Sequence, residues 1–275
     1  MAKNGAVGGS SHAERVFRVQ RAFTQLGGRA HGPGALARAA ELDDSTVYRI
    51  LQSGVHQGIF VREGRGLYRL GSAAPQLGLK ALAHSPAPDA AHALLEALRR
   101  ATGGLAFLYL LAPFGGAHRQ CADMAVGDSD LTELGMTPRA VQTVEHSLRV
   151  GAAGRAILAY LPETIQSEVL DRPVPDEAGP GAFRDDVRLL ASLDRIRARG
   201  YALGREECAA GWNECAAPVT WDGLVMGSVL VMKPKQVMTR CPVTVIGAVE
   251  QTAAALADLG RGQPAVPDGN DPRMK

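Results

Sequence analysis

The amino-acid sequence predicts a mixed α/β (α+β) chain of two domains, and three observations predict it. At 275 residues the chain is too long for one small domain and holds two comfortably. The stretch His84-Ser85-Pro86-Ala87-Pro88 cannot continue a helix and marks a boundary. Before it, short helical patterns lead into a glycine-turned hairpin; after it, helical patterns alternate with hairpin-joined apolar strands, which reads as an antiparallel sheet with helices packed on it.

Residues 1–10 are glycine-rich and read as disordered. A helix over Ser11–Leu26 carries Val16, Val19, Phe23 and Leu26 on one stripe, with Ser11 and Glu14 at capping-box spacing and Gly27-Gly28 ending it. In the next helix Leu36, Ala39 and Ala40 mark the buried side, and Glu41-Leu42-Asp43 forms a tight turn. Asp43 or Asp44 then caps a third helix, whose Val47, Ile50, Leu51 and Val55 face the core. Its opposite face carries Ser45, Thr46, Tyr48, Arg49, Gln52 and Ser53, all able to donate hydrogen bonds, as a helix lying in the DNA major groove requires. Arg49 pairs bidentately with guanine and Gln52 with adenine; Ser45 and Thr46 sit where hydroxyls and helix N–H groups meet phosphate. Phe60–Arg62 and Leu67–Leu70 flank the turn Glu63-Gly64-Arg65-Gly66, a wing that brings Arg62, Arg65 and Arg69 toward the DNA backbone. Residues 11–71 thus read as a winged helix-turn-helix.

Residues 72–88 read as a linker, with a helix over Ala73–Ala83. The second domain, 89–262, opens with an amphipathic helix over Asp89–Ala101. Leu105–Leu111 is a buried strand, followed by a polar and partly irregular stretch to about Thr143. Ala152–Tyr160 and Glu163–Leu170 are helices separated by Pro162, and Arg184–Arg199 is a longer one with Val187, Leu190, Leu193 and Ile196 in register. Strands Glu214–Val219 and Leu224–Met232 join through Trp221-Asp222-Gly223, a strong hairpin signal. Val243–Leu259 is a closing helix, and residues 263–275 read as a disordered tail.

The net charge of +2 says nothing by itself, but its distribution does. Residues 1–80 hold 11 Lys and Arg against 5 Asp and Glu, whereas residues 81–275 hold 19 against 23. The positive excess of the first segment sits with the helix-turn-helix, where phosphate neutralisation needs it. Four cysteines without a paired spacing predict reduced thiols rather than a disulfide framework or a metal site. The N-terminal residues lack the apolar core of a signal peptide, and no apolar run of membrane-spanning length occurs, so a cytoplasmic location is expected. Phosphate-cradling glycine motifs and nucleophile elbows are absent. The chain is therefore expected to be no enzyme and to carry no cofactor and no metal.

Three segments resemble the IclR family of bacterial transcriptional regulators. LDDSTVYRIL with the wing ending GLYRLG is similar to the family's recognition region; SLRVGAAGRAILAYLP (147–162) and GYALGREECAAGWNECAAPVTWDGLVMGSVLVMKP (200–234) are similar to its effector-domain segments. The resemblance implies a winged helix-turn-helix, a linker helix and an effector domain with a curved antiparallel sheet. It implies dimers, often paired into tetramers, on palindromic double-stranded operators, responding to a small-molecule effector. It also places effector-binding positions at Arg149, Gly151, Gly204, Glu214, Leu230 and Met232. Gly151-Ala-Ala-Gly154 before a helix is suited to cradle an anion at the helix N-terminus, and Met226 and Trp212 join Leu230 and Met232 as candidate pocket walls. The effector-binding positions depart from the family pattern: Arg149 stands where a His is usual, Gly151 for Thr, Gly204 for Asp, Glu214 for Cys, and Leu230 and Met232 for two serines. Losing two hydroxyls removes hydrogen bonds to an anionic head group, each worth ~1–3 kcal/mol. The expectation is a largely apolar metabolite, oriented by Glu214 and Arg149 with Trp212 as a wall. The alternatives are a regulator whose pocket is filled by its own side chains and, more remotely, a metabolic enzyme with a DNA-binding appendage.

Overall fold

The structure, a computed structural model, describes residues 11–26, 30–74, 76–77, 88–112, 117–128, 146–221 and 223–260. It divides into two compact units, Met1–His84 and Ser85–Lys275. The segments expected to be disordered, 1–10 and 263–275, and most of the expected linker helix lie outside the described residues.

In the N-terminal unit, helices α1 (Ser11–Gln25), α2 (Pro33–Ala40) and α3 (Asp44–His56) precede strands β1 (Phe60–Glu63) and β2 (Leu67–Leu70). One cluster holds them together: Val19, Ala22 and Phe23 of α1, Leu36, Ala37 and Ala40 of α2, Val47, Ile50 and Leu51 of α3, and Phe60 and Tyr68 of the hairpin. Phe23 stacks on Phe60 with ring centroids 5.1 Å apart. Ala37 rather than Ala39 joins Leu36 and Ala40 in full burial. The α2–α3 turn bends at Glu41, which adopts the left-handed conformation (φ 52°), and Arg18 of α1 holds it by donating to the Glu41 carbonyl at 3.0 Å. In the wing turn Gly64 (φ 56°) and Gly66 (φ 86°) take backbone conformations that side chains disfavour.

The C-terminal unit runs α4 (Pro88–Thr102), β3 (Leu105–Ala112), β4 (His118–Ala125), β5 (His146–Ser147), α5 (Gly151–Leu158), α6 (Glu163–Leu170), α7 (Asp186–Arg199), β6 (Ala202–Arg205), β7 (Trp212–Trp221), β8 (Leu224–Pro234) and α8 (Val243–Gly260). The strands form one antiparallel sheet in the order β5-β4-β3-β8-β7-β6. On one face Leu95 and Leu98 of α4 and Val249 and Leu256 of α8 share a cluster with Ala106, Leu108, Val229 and Val231. On the other, Ala152, Ala153, Ala156 and Ile157 of α5 and Leu189, Leu193 and Ile196 of α7 cluster with Leu105, Phe107, Tyr109, Leu230 and Met232. Burial on both faces explains why β3 and β8 read as nearly continuous apolar runs rather than alternating ones.

Two sequence expectations are corrected here. The stretch read as polar and partly irregular, in which no strand was expected, contains β4, paired to β3 over Ala106–Ala112. The buried stripe of α7 is Leu189, Ser192, Leu193 and Ile196, whereas Val187 and Leu190 are exposed. On that stripe Ser192 meets a polar partner, described below.

Candidate functional site

In the N-terminal unit, Asp43 proves to be the cap of α3: its carboxylate accepts from the Thr46 backbone N–H at 2.8 Å and from the Ser45 hydroxyl at 2.7 Å. These bonds, Ser45 foremost, hold the carboxyl well below its ordinary value. Ser45, Tyr48, Arg49, Gln52 and Ser53 all lie exposed on α3. Thr46 does not belong with them, because capping turns its side chain into the edge of the core and leaves it only 7 % exposed. Gln52 donates from Nε2 to the Tyr68 hydroxyl at 2.8 Å, tying α3 to the β1–β2 hairpin. Of the wing arginines, Arg62 and Arg65 are exposed, whereas Arg69 is half-buried and paired with Glu63 at 3.5 Å. The three therefore do not form a common row: Arg62 pairs across from Tyr68 and Arg69 from Val61, on opposite faces of the hairpin.

In the C-terminal unit some of the expected effector positions, Gly151 and Gly204 among them, surround one carboxylate, that of Glu214. β7 places Glu214 opposite Gly204 of β6 and Met232 of β8. Its side chain is 1 % exposed and turns to the first turn of α5, where Oε2 accepts from the Ala152 backbone N–H at 2.6 Å. Oε1 accepts from the Cys208 backbone N–H at 2.9 Å. The exposed N–H groups and positive end of a helix N-terminus form an anion site, and here the anion belongs to the protein itself.

Glycines make the room. A Cβ on Gly204 would lie 3.0 Å from Glu214 Oε2. One on Gly151, where φ is 78°, would lie 2.2 Å from Cys208 Sγ and 2.9 Å from Glu214 Oε2. One on Gly154 would lie 2.4 Å from Nη1 of Arg119, a residue the sequence reading missed. Arg119 is 2 % exposed, donates to the carbonyls of Ser147 and Val150, reaches Cys208 Sγ at 3.6 Å and lies over the Tyr109 ring at 5.0 Å. It comes from β4, the strand the sequence did not announce. Burial, with Glu214 adding to it, pushes the Cys208 thiol above its ordinary value and keeps it protonated.

The remaining positions divide. Leu230 and Met232 are 1 % and 4 % exposed and belong to the core packed under α5, and Trp212 is half-buried against it. Met226 is the extra residue of a bulge, since Val219 pairs with Gly227 and Thr220 with Val225; it is half-exposed and joins neither sheet-face cluster. Arg149 does not partner Glu214. Its guanidinium donates to the carbonyls of Leu170 (2.6 Å) and Arg172 (3.1 Å) and pairs with Asp186, clamping the end of α6 to the start of α7.

Beside this site lies a buried ion pair. Arg155 of α5 holds Glu207 bidentately, Nε to Oε2 at 2.9 Å and Nη2 to Oε1 at 2.7 Å, and also donates to the Leu203 carbonyl and to Ser192. Burial pushes the Glu207 carboxyl up to about 7 while Arg155 pulls the other way. Among the described residues no group of three or more His, Cys, Asp or Glu side chains is placed to hold a metal, and no helix is long and apolar enough to cross a membrane.

Residues 140–258 match the protein family described as bacterial transcriptional regulator IclR, C-terminal. No curated protein matches the chain. Among solved structures, an IclR homologue from Microbacterium hydrocarbonoxydans complexed with 4-hydroxybenzoate is 22% identical with TM-score 0.55, covering 92% of this chain and 100% of that one. An IclR transcriptional regulator from Alicyclobacillus acidocaldarius is 20% identical with TM-score 0.56, over 92% and 100% of the two chains. The Thermotoga maritima IclR is 20% identical with TM-score 0.53, over 90% and 96%.

Proposed function

We propose that this chain, an IclR-family transcriptional regulator by its C-terminal domain, binds double-stranded DNA through α3 and the wing, and that Glu214 occupies its effector site in place of a ligand. The observation that carries the second half is the Glu214 carboxylate accepting from the Ala152 and Cys208 N–H groups. A carboxylate effector would need those same donors. Leu230 and Met232 fill the space beside them. The reading favours the self-filled regulator over the apolar-metabolite sensor, and over an enzyme with a DNA-binding appendage. Dimers, or dimers of dimers, on a palindromic operator follow from the size of one winged module, which makes too few contacts to bind tightly alone. A cytoplasmic location goes with this role.

Calorimetry with 4-hydroxybenzoate, the ligand seen in the Microbacterium homologue, tests the occupied site. The wild-type chain is expected to give no binding heat, and Glu214→Ala, which frees the two donors, is expected to gain binding. Binding by the wild type, lost in Arg119→Ala, would reverse the reading. For the DNA half, duplexes selected from a random pool by the full chain are expected to be palindromic; a chain that selects nothing refutes it.

A further inference from the structure

A second cleft in the C-terminal unit has a composition that DNA binding and the Glu214 site leave unexplained. It opens between α7, β6 and the 180–185 segment, with a volume of about 790 Å³. Of its lining residues only Leu203 and Arg205 also border the smaller pocket at Gly204 and Glu214. Six arginines line it: Arg155, Arg184, Arg188, Arg195, Arg199 and Arg205. The two carboxylates in its wall are committed elsewhere. Glu207 is held bidentately by Arg155 at the cleft floor, and Asp185 caps α7 by accepting from the Arg188 N–H at 2.8 Å.

The arrangement is directional. Arg188, Ser192, Arg195 and Arg199 follow one another at three- and four-residue steps along α7, so they form a single ridge. Arg205 faces that ridge from the end of β6, and Arg184 comes from the loop. Phe183 lies between the guanidinium groups of Arg155, 4.9 Å from its ring centre, and Arg188, 5.9 Å away. Arg184, Arg195 and Arg205 are exposed and have no ion pair or side-chain hydrogen bond among the described residues. Crowding like charges costs free energy, and it registers in Arg199, whose pKa is lowered first by burial and then by Arg155 and Arg195. A cleft lined by one sign of charge focuses its field and concentrates counter-ions. Guanidinium forks match phosphate oxygens two at a time. The volume lies in the range of small-molecule sites, about 300–1,000 Å³.

We propose that this cleft binds a small polyphosphate, a metabolite carrying a diphosphate group or two separate phosphates, with Arg184, Arg195 and Arg205 as its direct ligands. Cations converging from a helix, a strand end and a loop fit an anion with charge on more than one centre better than a single carboxylate.

Titration calorimetry on the full chain tests this with inorganic pyrophosphate and orthophosphate at matched ionic strength. Pyrophosphate is expected to bind at least tenfold more tightly than orthophosphate. Arg195→Gln combined with Arg205→Gln is expected to weaken it at least tenfold without lowering the ligand-free melting temperature, since both side chains are exposed and unpaired. Should that double variant fold poorly, Arg184→Gln, from outside the regular elements, reads the same loss. Equal or undetectable binding of the two anions would overturn the proposal, as would unchanged affinity in the variants. So would displacement of pyrophosphate by a random DNA duplex that remains effective against Arg49→Ala, which would make the cleft a nucleic-acid surface.

Discussion

At the residue scale, the decisive fact is that a side chain can stand in for a ligand only if its neighbours have given up their own. Gly204 and Glu214 face each other across β6 and β7. A Cβ at 204 would lie 3.0 Å from the Glu214 carboxylate, so Glu214 would have to give by a few tenths of an ångström. Gly151 is under the tightest constraint. Alanine there would adopt a left-handed backbone, at about 1–2 kcal/mol. It would also press a methyl against Cys208 Sγ, 2.2 Å from the ideal Cβ position. Overpacking adds about 1–3 kcal/mol. Gly151→Ala is thus expected to destabilise the C-terminal unit by about 2–5 kcal/mol. Urea unfolding followed by tryptophan fluorescence reads this unit alone, because both tryptophans, Trp212 and Trp221, lie in it. A loss under half of the lower figure would mean that α5 starts differently.

Asp43 gives a residue-scale prediction in pH. Its carboxyl is depressed below the ordinary 3.8, so it is charged in the fold under conditions where the unfolded chain is protonated. Its contribution is fully present above pH 3.8 and is lost as pH falls below it toward the folded value. The melting temperature of the N-terminal unit, followed by helical circular dichroism, is expected to be higher than in Asp43→Asn at neutral pH. The gap is expected to close on acidification. A gap independent of pH between neutral and strongly acid conditions would show that the cap acts by shape rather than by charge.

At the element scale, the Arg155–Glu207 pair joins α5 to the loop after β6, and Arg155 also donates to Ser192 of α7. Removing one partner of a buried pair leaves the other charged and unsolvated, which costs about 3–5 kcal/mol. Glu207→Ala is expected to lose that much in the tryptophan-detected urea transition, and Arg155→Met combined with Glu207→Leu to lose much less. Equal losses in the two variants would point to packing as the source.

The sequence misled on α7. Apolar periodicity alone favours Val187 and Leu190, and nothing local reveals that Ser192 will lie on the buried stripe with a buried arginine as its partner. The helices α4, α6 and α8, the wing and the β7–β8 hairpin were legible because their signals are local: apolar spacing, capping, and Asp222-Gly223 between apolar runs. β4 was not, since its exposed and buried positions follow a bulge between Leu108 and Tyr109 rather than strict alternation. With β4 went Arg119, a buried cation that reaches Cys208 and the start of α5. The resemblance supplied Gly151, Gly204 and Glu214 as one neighbourhood, but it carried Arg149 along as well, whose long side chain reaches α7 instead.

At the scale of the whole molecule, charge and exposed apolar surface set what the N-terminal unit does. The segment 1–80 holds 11 Lys and Arg against 5 Asp and Glu, and the remainder is net acidic. Arg49 on α3 and Arg65 in the β1–β2 turn are both exposed, and under the proposed docking they would meet different parts of a duplex. On a selected operator, Arg49→Ala is expected to weaken binding and relax base preference at one position in each half-site. Arg65→Ala is expected to weaken specific and random duplexes alike and to flatten the slope of log affinity against log salt by about 1 per subunit. That comparison is valid only for an oligomer with two copies of α3 one helical turn apart. Phe17 is 61 % exposed on α1, the helix proposed to pair with a second copy. Phe17→Asp is therefore expected to shift sedimentation toward monomer at micromolar concentration and to reduce operator affinity at least a hundredfold, while random-duplex affinity per module changes little. A wild-type chain that sediments as a monomer with and without operator would remove the basis for two-fold recognition. So would a Phe17→Asp variant whose assembly and operator affinity match the wild type, because α1 would then have no part in pairing the recognition helices.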